Sequence, residues 1–575
     1  MNHREHHSRR ASFAHILETS NPNLLATPHA ALPSPATGQR SVYALPHARL
    51  SHAEMERLVF KKTIEDREVK INFNEAIRET GFGCFQVHLV LVCGLIFLTC
   101  SASCTALSFT LPAAQCDLSL SSRDMGIINT SPLFGMIVGT FIWGTMSDTK
   151  GRRLTLIVCL SVDFTATVIA SFSFHKWLLL SARFLNGVGI IGAESLVFAY
   201  LGEFLSEEKR DALLFSMELF YNLGVVYIPS ISWIILPLPV DINLGGGFHY
   251  HSWNLFTLAT GFPGLIAIIL LTFTLPESPK YLLTKGEIKK MERILARMFK
   301  VNHRGIRHID RKYPVKVTST EDPNVISFFA IKVIAGRGYC RELYNQYKTL
   351  FKRPTKIHVI KFCILDFFVA FSFLSLLIWL PELLKRSNLY KEMVEHGPPQ
   401  TVCYASGYVK TSAMVREGGD CPQKIPTEVY TEALIICAFC IPATISLYFA
   451  LEYVPKKILI VLLTSFAGSV TLSIAFAKNV YVMVALMCCF EASSTVIETI
   501  LFVCVVEVIP TNVSGTALAI TVTCGRIAAV LANIITGMLV DAHCEIVLYV
   551  MAGSFFSGSL VACTLPNRVN DQFLY

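Results

Sequence analysis

The sequence predicts an all-α membrane protein with twelve transmembrane helices in two six-helix halves. Three observations predict it. Apolar residues make up 53% of the 575 residues and charged residues only 16%, whereas a soluble domain carries roughly 25% charged residues. The apolar residues fall into twelve blocks, each close to the ~20 residues a helix needs to cross the hydrocarbon core. A long polar segment, 280–356, separates the sixth block from the seventh. The mean hydropathy of +0.50 agrees. The net charge of +8 sits in a few polar loops, which argues against a nucleic-acid-binding surface.

Taken in order, residues 1–84 are polar, begin with a basic, His-rich run (His3, Arg4, His6, His7, Arg9, Arg10) and continue through a Pro/Ala/Ser-rich stretch. Such a composition buries too little apolar surface to fold, so a disordered cytosolic tail is expected, open to cytosolic protein partners. The N-terminal half, 85–279, holds spans near 86–113, 126–146, 154–173, 178–200, 212–236 and 254–275. A cytosolic central loop, 280–356, follows. The C-terminal half, 357–565, holds spans near 357–380, 431–452, 457–477, 480–505, 514–538 and 546–565, with a luminal loop at 381–430. Residues 566–575 form a C-terminal tail.

Lys and Arg crowd the central loop (Lys280, Lys285, Lys289, Lys290, Arg293, Arg297) and recur at Lys150, Arg152, Arg153, Lys209, Arg210, Lys456 and Lys457. Positively charged loops stay on the cytoplasmic side, so both termini are expected there. Within the central loop, Ile288, Met291, Ile294, Leu295 and Met298 stand at helical spacing. They predict an amphipathic helix on the cytoplasmic face. Most of the 18 cysteines lie inside apolar runs, where a thiol packs as a small hydrophobe. Cys403 and Cys421 share the polar luminal loop and are the expected disulfide.

Three motifs stand on the cytoplasmic side. Gly144-Thr-Met-Ser-Asp148-Thr-Lys-Gly151-Arg152-Arg153 joins the second and third spans. Its glycines permit a tight turn and close helix approach, and its arginines suit lipid headgroups. Arg183-Phe-Leu-Asn-Gly187-Val-Gly189 opens the fourth span, with Glu203 and Arg210 after it as charged partners. Pro276-Glu277-Ser278-Pro279 ends the sixth, where proline stops the helix. A weak repeat agrees with two related halves: Glu203, after the fourth span, matches Glu507, after the tenth.

These motifs resemble those of the major facilitator superfamily, whose fold is two six-helix halves with substrate at the midplane between them. That resemblance implies a latch on the cytoplasmic side formed by Gly144, Asp148, Gly151, Arg152, Arg153, Arg183, Glu203 and Arg210. Cys116-Asp-Leu-Ser-Leu-Ser-Ser, Val197-Phe-Ala-Tyr-Leu-Gly-Glu-Phe-Leu-Ser-Glu-Glu-Lys-Arg210 and His251-Ser-Trp-Asn-Leu-Phe look like the synaptic vesicle glycoprotein 2 family. The resemblance implies a multi-pass protein of a vesicle membrane or the plasma membrane. Three departures stand out. The family's acidic pair in the first span falls here on Cys100 and Ser103. The luminal loop is short and holds no glycosylation sequon; the two sequons, at Asn129 and Asn512, fall elsewhere. Family tryptophans of the cavity align with Asp366 and Glu498.

Carboxylates inside spans are costly, by at least ~2.5–3.5 kcal/mol each, and usually face a cavity or a partner. The candidates for binding substrate or protons are Glu194, Asp366, Glu498 and Glu491. Glu491 and Glu498, seven apart, share a helix face. Arg526 is the clearest basic partner, with Lys361 nearer the cytosolic end of the seventh span; Asp163 and Glu218 read as packing contacts. Phe367, Phe371, Phe373 and Trp379 could hold an organic cation over their rings. No P-loop, HExxH or G-x-S-x-G motif occurs, so neither an enzyme nor a cofactor is expected, and the tail histidines read as low complexity rather than a metal site.

The sequence therefore predicts alternating-access transport of a small organic solute, cationic by the excess of carboxylates, with proton coupling through the same groups. Two alternatives stay open: a vesicle-membrane regulator that transports little and acts through protein partners, and a sugar-porter-like carrier of neutral solutes. The expected partners are a small-molecule substrate and the lipid bilayer, not nucleic acid.

Overall fold

A computed structural model of the chain describes residues 73–243, 245, 249–303, 355–394, 400–415, 425–509 and 514–565. Most of the predicted N-terminal tail, most of the central loop, Cys421, Asn512 and the tail 566–575 lie outside the described residues. Among the described residues twelve helices are long and apolar enough to cross a membrane. They are α1 (Cys84–Ala114), α2 (Ser122–Lys150), α3 (Arg152–Ser171), α4 (Lys176–Gly202), α5 (Glu207–Ile235) and α6 (Ser252–Thr274), then α7 (Thr355–Met393), α8 (Thr427–Tyr453), α9 (Lys456–Phe476), α10 (Val480–Val508), α11 (Ser514–Leu539) and α12 (Cys544–Cys563).

Local chemistry sets several of the ends. Ser121 and Asp124 form a capping box that starts α2. Asn479 accepts from the Tyr481 amide and starts α10. Gly151 separates α2 from α3 at φ +107, and a Cβ there would stand 2.5 Å from the Glu277 carboxylate. Both facts require glycine at this turn. Gly144 is different: it lies within α2, and among the described residues nothing stands within 4 Å of the place of its missing Cβ.

The face that carries the 144–153 turn, with Lys150, Arg152, Arg153, Lys209 and the 288–302 helix, is the basic face. The amphipathic helix runs from Ile288 to Asn302 and buries Met291, Leu295, Met298 and Phe299. It packs on the short helix Phe73–Glu79 and on the start of α1, where Asn302 accepts from the Phe85 amide at 3.1 Å and donates to Thr80 and Gly81. Its apolar stripe is thus covered by the protein itself, in place of a lipid surface.

Between the halves, α2 packs on α11, α5 on α8, and α7 on the end of α1. Gly126 and Gly537 let α2 and α11 approach so closely that a Cβ on Gly126 would stand 2.9 Å from the Gly537 Cα. At the face opposite the basic one, the polar loop expected from 381 begins instead as 13 further residues of α7, Pro381–Met393, and holds another helix, Val402–Val415. Proline normally ends a helix. Here the helix continues through Pro381, and its next charged residues, Glu382, Lys385 and Arg386, are buried among the other helices.

Cys403 forms its disulfide with Cys544, not with Cys421. The Val402–Val415 helix lies against the start of α12, which brings together two cysteines 141 residues apart in sequence. Cys116 is disulfide-bonded as well.

Candidate functional site

The midplane between the halves holds a cluster of carboxylates around one arginine. Arg526, on α11, donates to Glu194 Oε1, on α4, at 3.1 Å. Both are largely withdrawn from solvent, at 8% and 19% side-chain exposure, so the pair is a buried link between halves. The second oxygen of Glu194 is buried with no hydrogen-bond partner. Asp366, on α7, is 1% exposed, and its Oδ1 is buried without a partner too. Its other oxygen lies against the backbone of Gly525, one residue from Arg526; a Cβ on that glycine would stand 2.3 Å from it. Glu498 on α10 lies within electrostatic reach of Arg526 and Glu194, and Asp366 within reach of Glu498 and Arg526. Glu218 on α5 lies within reach of Glu498 and Glu194, so it belongs to this cluster rather than to packing alone.

Glu491 stands apart. It is buried at 3% exposure, about 10 Å along α10 from Glu498, two helical turns, and faces Cys437 and Cys440 of α8. Asp163 is a packing contact as expected: it accepts from Ser103 at 2.8 Å and from Asn186 at 3.0 Å. Ser103 thus spends its hydroxyl inside the N-terminal half, and Cys100 points its thiol at the Ile190 carbonyl, 3.8 Å away. Lys361 donates to the Thr564 carbonyl at 2.6 Å, at the end of α12, and is not a partner of the cluster.

Of the expected aromatics, Trp379 is buried at 1% exposure, donating to Asn533 at 3.1 Å, and Phe373 is buried at 3%. Both are core residues. Phe367 and Phe371 are half-buried and stacked, 6.5 Å apart. The sequence reading missed a second aromatic group. Phe97 lies 4.9 Å from the Phe198 ring and 5.4 Å from Tyr221, and Tyr221 is within electrostatic reach of Glu194, Glu498 and Arg526. These rings come from α1, α4 and α5, so no sequence spacing links them.

The motif residues of the basic face form a network within the N-terminal half. Arg152 pairs with Glu203 at 3.4 Å, donates to the Ser147 carbonyl at 2.9 Å and lies over the Tyr281 ring. Ser278 donates to Glu203. The Arg153 amide donates to Glu277 at 2.9 Å, and its guanidinium bonds the Leu271 and Thr272 carbonyls that end α6. Arg210 donates to the Gly202 and Leu205 carbonyls at the end of α4. Pro279 starts the short helix Pro279–Thr284, capped by Ser278. The side chain of Asp148 lies outside the described residues. Arg183 does not join this network. It sits in the second turn of α4, twenty residues or about 30 Å from Glu203. There it is buried at 1% exposure and attracted to Asp163. The motif match put it on the wrong side because α4 runs from the opposite face to the basic face.

At that opposite face a second polar cluster closes the halves on each other, and the sequence reading did not single it out. Arg386, 6% exposed, donates to Glu382 at 2.7 Å, Asp541 at 2.8 Å, Ser406 at 2.7 Å and Ser122 at 2.9 Å. Ser122, on α2, donates to Asp541 at 2.8 Å. Lys385, 4% exposed, donates to the Pro112 carbonyl at 2.9 Å and to Gln115 at 3.1 Å, both at the end of α1. The run Glu382-Leu-Leu-Lys385-Arg386 just past an apolar block was the available signal.

Comparison with known proteins agrees with this architecture. The model of the family described as "Sugar (and other) transporter" matches residues 90–334. Synaptic vesicle glycoprotein 2C of Mus musculus is 28% identical over 366 residues, 62% of this chain and 50% of that protein. Synaptic vesicle glycoprotein 2B of Homo sapiens is 30% identical over 356 residues, 59% of this chain and 52% of that one. The chain thus spans about half the length of the curated relatives it matches. Among solved structures, the partially occluded inward open conformation of the xylose transporter XylE from E. coli superposes with TM-score 0.58 at 16% identity, covering 84% of this chain and 99% of that one. A crystal structure of a D-xylose-proton symporter gives 0.57, also at 16%, covering 84% and 98%. The chain is a multi-pass membrane protein with the major facilitator fold, and it resembles the synaptic vesicle glycoprotein 2 proteins.

Proposed function

We propose that the protein transports a small organic cation across a vesicle membrane or the plasma membrane by alternating access of its two halves. In this reading both termini and the basic face lie in the cytosol, and the tail is open to cytosolic partners. The observation that carries the proposal is the midplane cluster: Glu194, Asp366 and Glu498 gather around the buried Arg526, Glu218 stands within reach of Glu194 and Glu498, and two carboxylate oxygens there lack a partner. Unpartnered acceptors in a low-dielectric site call for a positive occupant, either a proton or a cationic solute. Competition between the two for Glu194, Asp366 and Glu498 supplies proton coupling without carboxylates in α1. Phe97, Phe198 and Tyr221 offer ring faces to the same occupant. Glu491 is a secondary site toward the opposite face.

Alternating access needs one face sealed while the other opens. The Lys385 and Arg386 cluster is the seal at the opposite face, and the Arg152, Glu203, Glu277 and Ser278 network keeps the ends of α2, α3, α4 and α6 moving as one body. The test is thermal stabilisation of the purified protein by a library of organic cations, anions and sugars. A bound ligand raises the melting temperature by mass action, about 2.7 kcal/mol at a hundred times Kd. Cation hits that vanish in Asp366→Asn or Glu498→Gln support the proposal. Hits confined to sugars would favour a neutral-solute carrier, and a folded sample with no hit would favour a regulator acting through protein partners.

A further inference from the structure

Between α5 and α6 the chain makes a two-stranded antiparallel hairpin, β1 (Asp241–Asn243) and β2 (His249–His251), on the face opposite the basic one. Its register sets Asp241 across from His251 and Asn243 across from His249. Alternate residues of a strand share a face, so His249 and His251 project on the side where Asp241 also lies. Tyr250 points the other way. It is 8% exposed, and its hydroxyl lies 2.9 Å from Ser171 Oγ, which fixes the hairpin to α3.

The three side chains bring their donor atoms within 4.8 Å of one another. His249 Nδ1 stands 2.8 Å from Asp241 Oδ1, and His251 Nε2 stands 3.9 Å from the same oxygen. Around a tetrahedral zinc ion with bonds of about 2.0–2.1 Å, ligand atoms stand about 3.3 Å apart. Both distances lie about 0.5 Å from that value, within reach of small side-chain rotations. His251 Nδ1 is also 2.8 Å from Asp117 Oδ2, which in turn accepts from the Trp253 indole at 2.6 Å. A carboxylate that holds one imidazole nitrogen, and so presents the other to a metal, is the usual outer shell of a histidine metal site.

We infer that Asp241, His249 and His251 form a binding site for a divalent first-row transition metal ion of the zinc type, with Asp117 orienting His251. Two imidazoles and one carboxylate, with no thiolate, select such an ion over calcium or copper(I), and leave a fourth position for water. The site is distinct from the midplane cluster and does not depend on its occupant. The proposal departs from the expectation of no metal site; sequence spacing does not display this grouping, because Asp241 and His251 stand ten positions apart across a strand reversal.

The test is a cobalt(II) titration of metal-depleted full-length protein, read by the visible absorption of tetrahedral cobalt and followed by zinc displacement. The N-terminal histidines are a rival, so a tail variant, His3→Ala/His6→Ala/His7→Ala, runs in parallel. The wild type and the tail variant are expected to take up one tight equivalent with the tetrahedral spectrum. Asp241→Asn and His249→Ala lose that equivalent, and Asp117→Asn binds it about 10–100-fold more weakly. Metal-free melting temperatures equal to wild type show that the variants fold; the isosteric Asp241→Asn decides if the alanine variant does not. Equal uptake by the wild type and Asp241→Asn, or loss of the tight equivalent in the tail variant alone, overturns the site.

Discussion

Replacing Lys385 by methionine tests the seal at the opposite face; it also removes an ion pair with Glu382 at 4.0 Å within α7, whose carboxylate keeps Arg386. The ammonium donates to the Pro112 carbonyl at 2.9 Å and to Gln115 at 3.1 Å, and these bonds join α7 of one half to α1 of the other. Methionine keeps most of the side-chain volume and removes both. Hydrogen bonds from a charged group contribute about 1.5–3 kcal/mol each, so the lower value gives about 3 kcal/mol for the pair. That is roughly a 150-fold shift away from the sealed arrangement. Burial makes the effect one-sided: at 5% side-chain exposure Lys385 has little water to replace its partners, and Gln115 keeps an unmet acceptor when the seal closes. Hydrogen exchange read by mass spectrometry follows the change. Amides at the end of α1 and the start of α2, residues 108–125, are expected to exchange at least tenfold faster, while those of the 288–302 helix stay at the wild-type rate. Unchanged exchange at 108–125 in a folded variant would refute the argument that Lys385 holds the halves together. Uniformly faster exchange would instead indicate general destabilisation.

Further outcomes follow from the same contacts. Arg526→Met removes the cation that the cluster shares and lowers the melting temperature, whereas Glu194→Gln leaves Arg526 with Glu498 and Asp366 beside it and costs less. The double-mutant cycle should return a coupling of about 0.5–3 kcal/mol. Gly151→Ala meets both a left-handed backbone angle and the Glu277 carboxylate, so it should cost at least about 1–2 kcal/mol, read as a shorter half-life on mild heating. Peptide mapping without reduction should recover Cys403 joined to Cys544. Cys403→Ser, Cys544→Ser and the double variant should then lose the same stability, about 2–4 kcal/mol, because one bond is lost in each.

The twelve spans were legible because crossing hydrocarbon demands long apolar runs, and no other constraint yields twelve of them. That Arg526 partners the carboxylates was legible too, since a basic residue deep in a span has few ways to be tolerated, but that it bonds Glu194 was not. What escaped the sequence depends on the meeting of distant segments. Glu382, Lys385 and Arg386 read as the start of a polar loop, because charge usually means water; here Ser122, Asp541 and the end of α1 take the place of water. Tyr221 joined the cluster only once α5 was packed against α1 and α8. Cys403 found its partner 141 residues away, beyond a loop that offered a nearer cysteine. Arg183 was misplaced for a different reason: a motif gives residues in order along a helix, and the 27 residues of α4 carry the motif's start and end to opposite faces.

The most direct test of the central claim is uptake of an organic cation into proteoliposomes under an imposed pH gradient, with wild type, Glu498→Gln and Asp366→Asn compared in one preparation. The account predicts that wild-type uptake rises when the gradient drives protons against the cation. It predicts that each variant, though folded and correctly inserted, loses that response. Uptake indifferent to the gradient and to both substitutions would contradict a carrier that works through the midplane carboxylates.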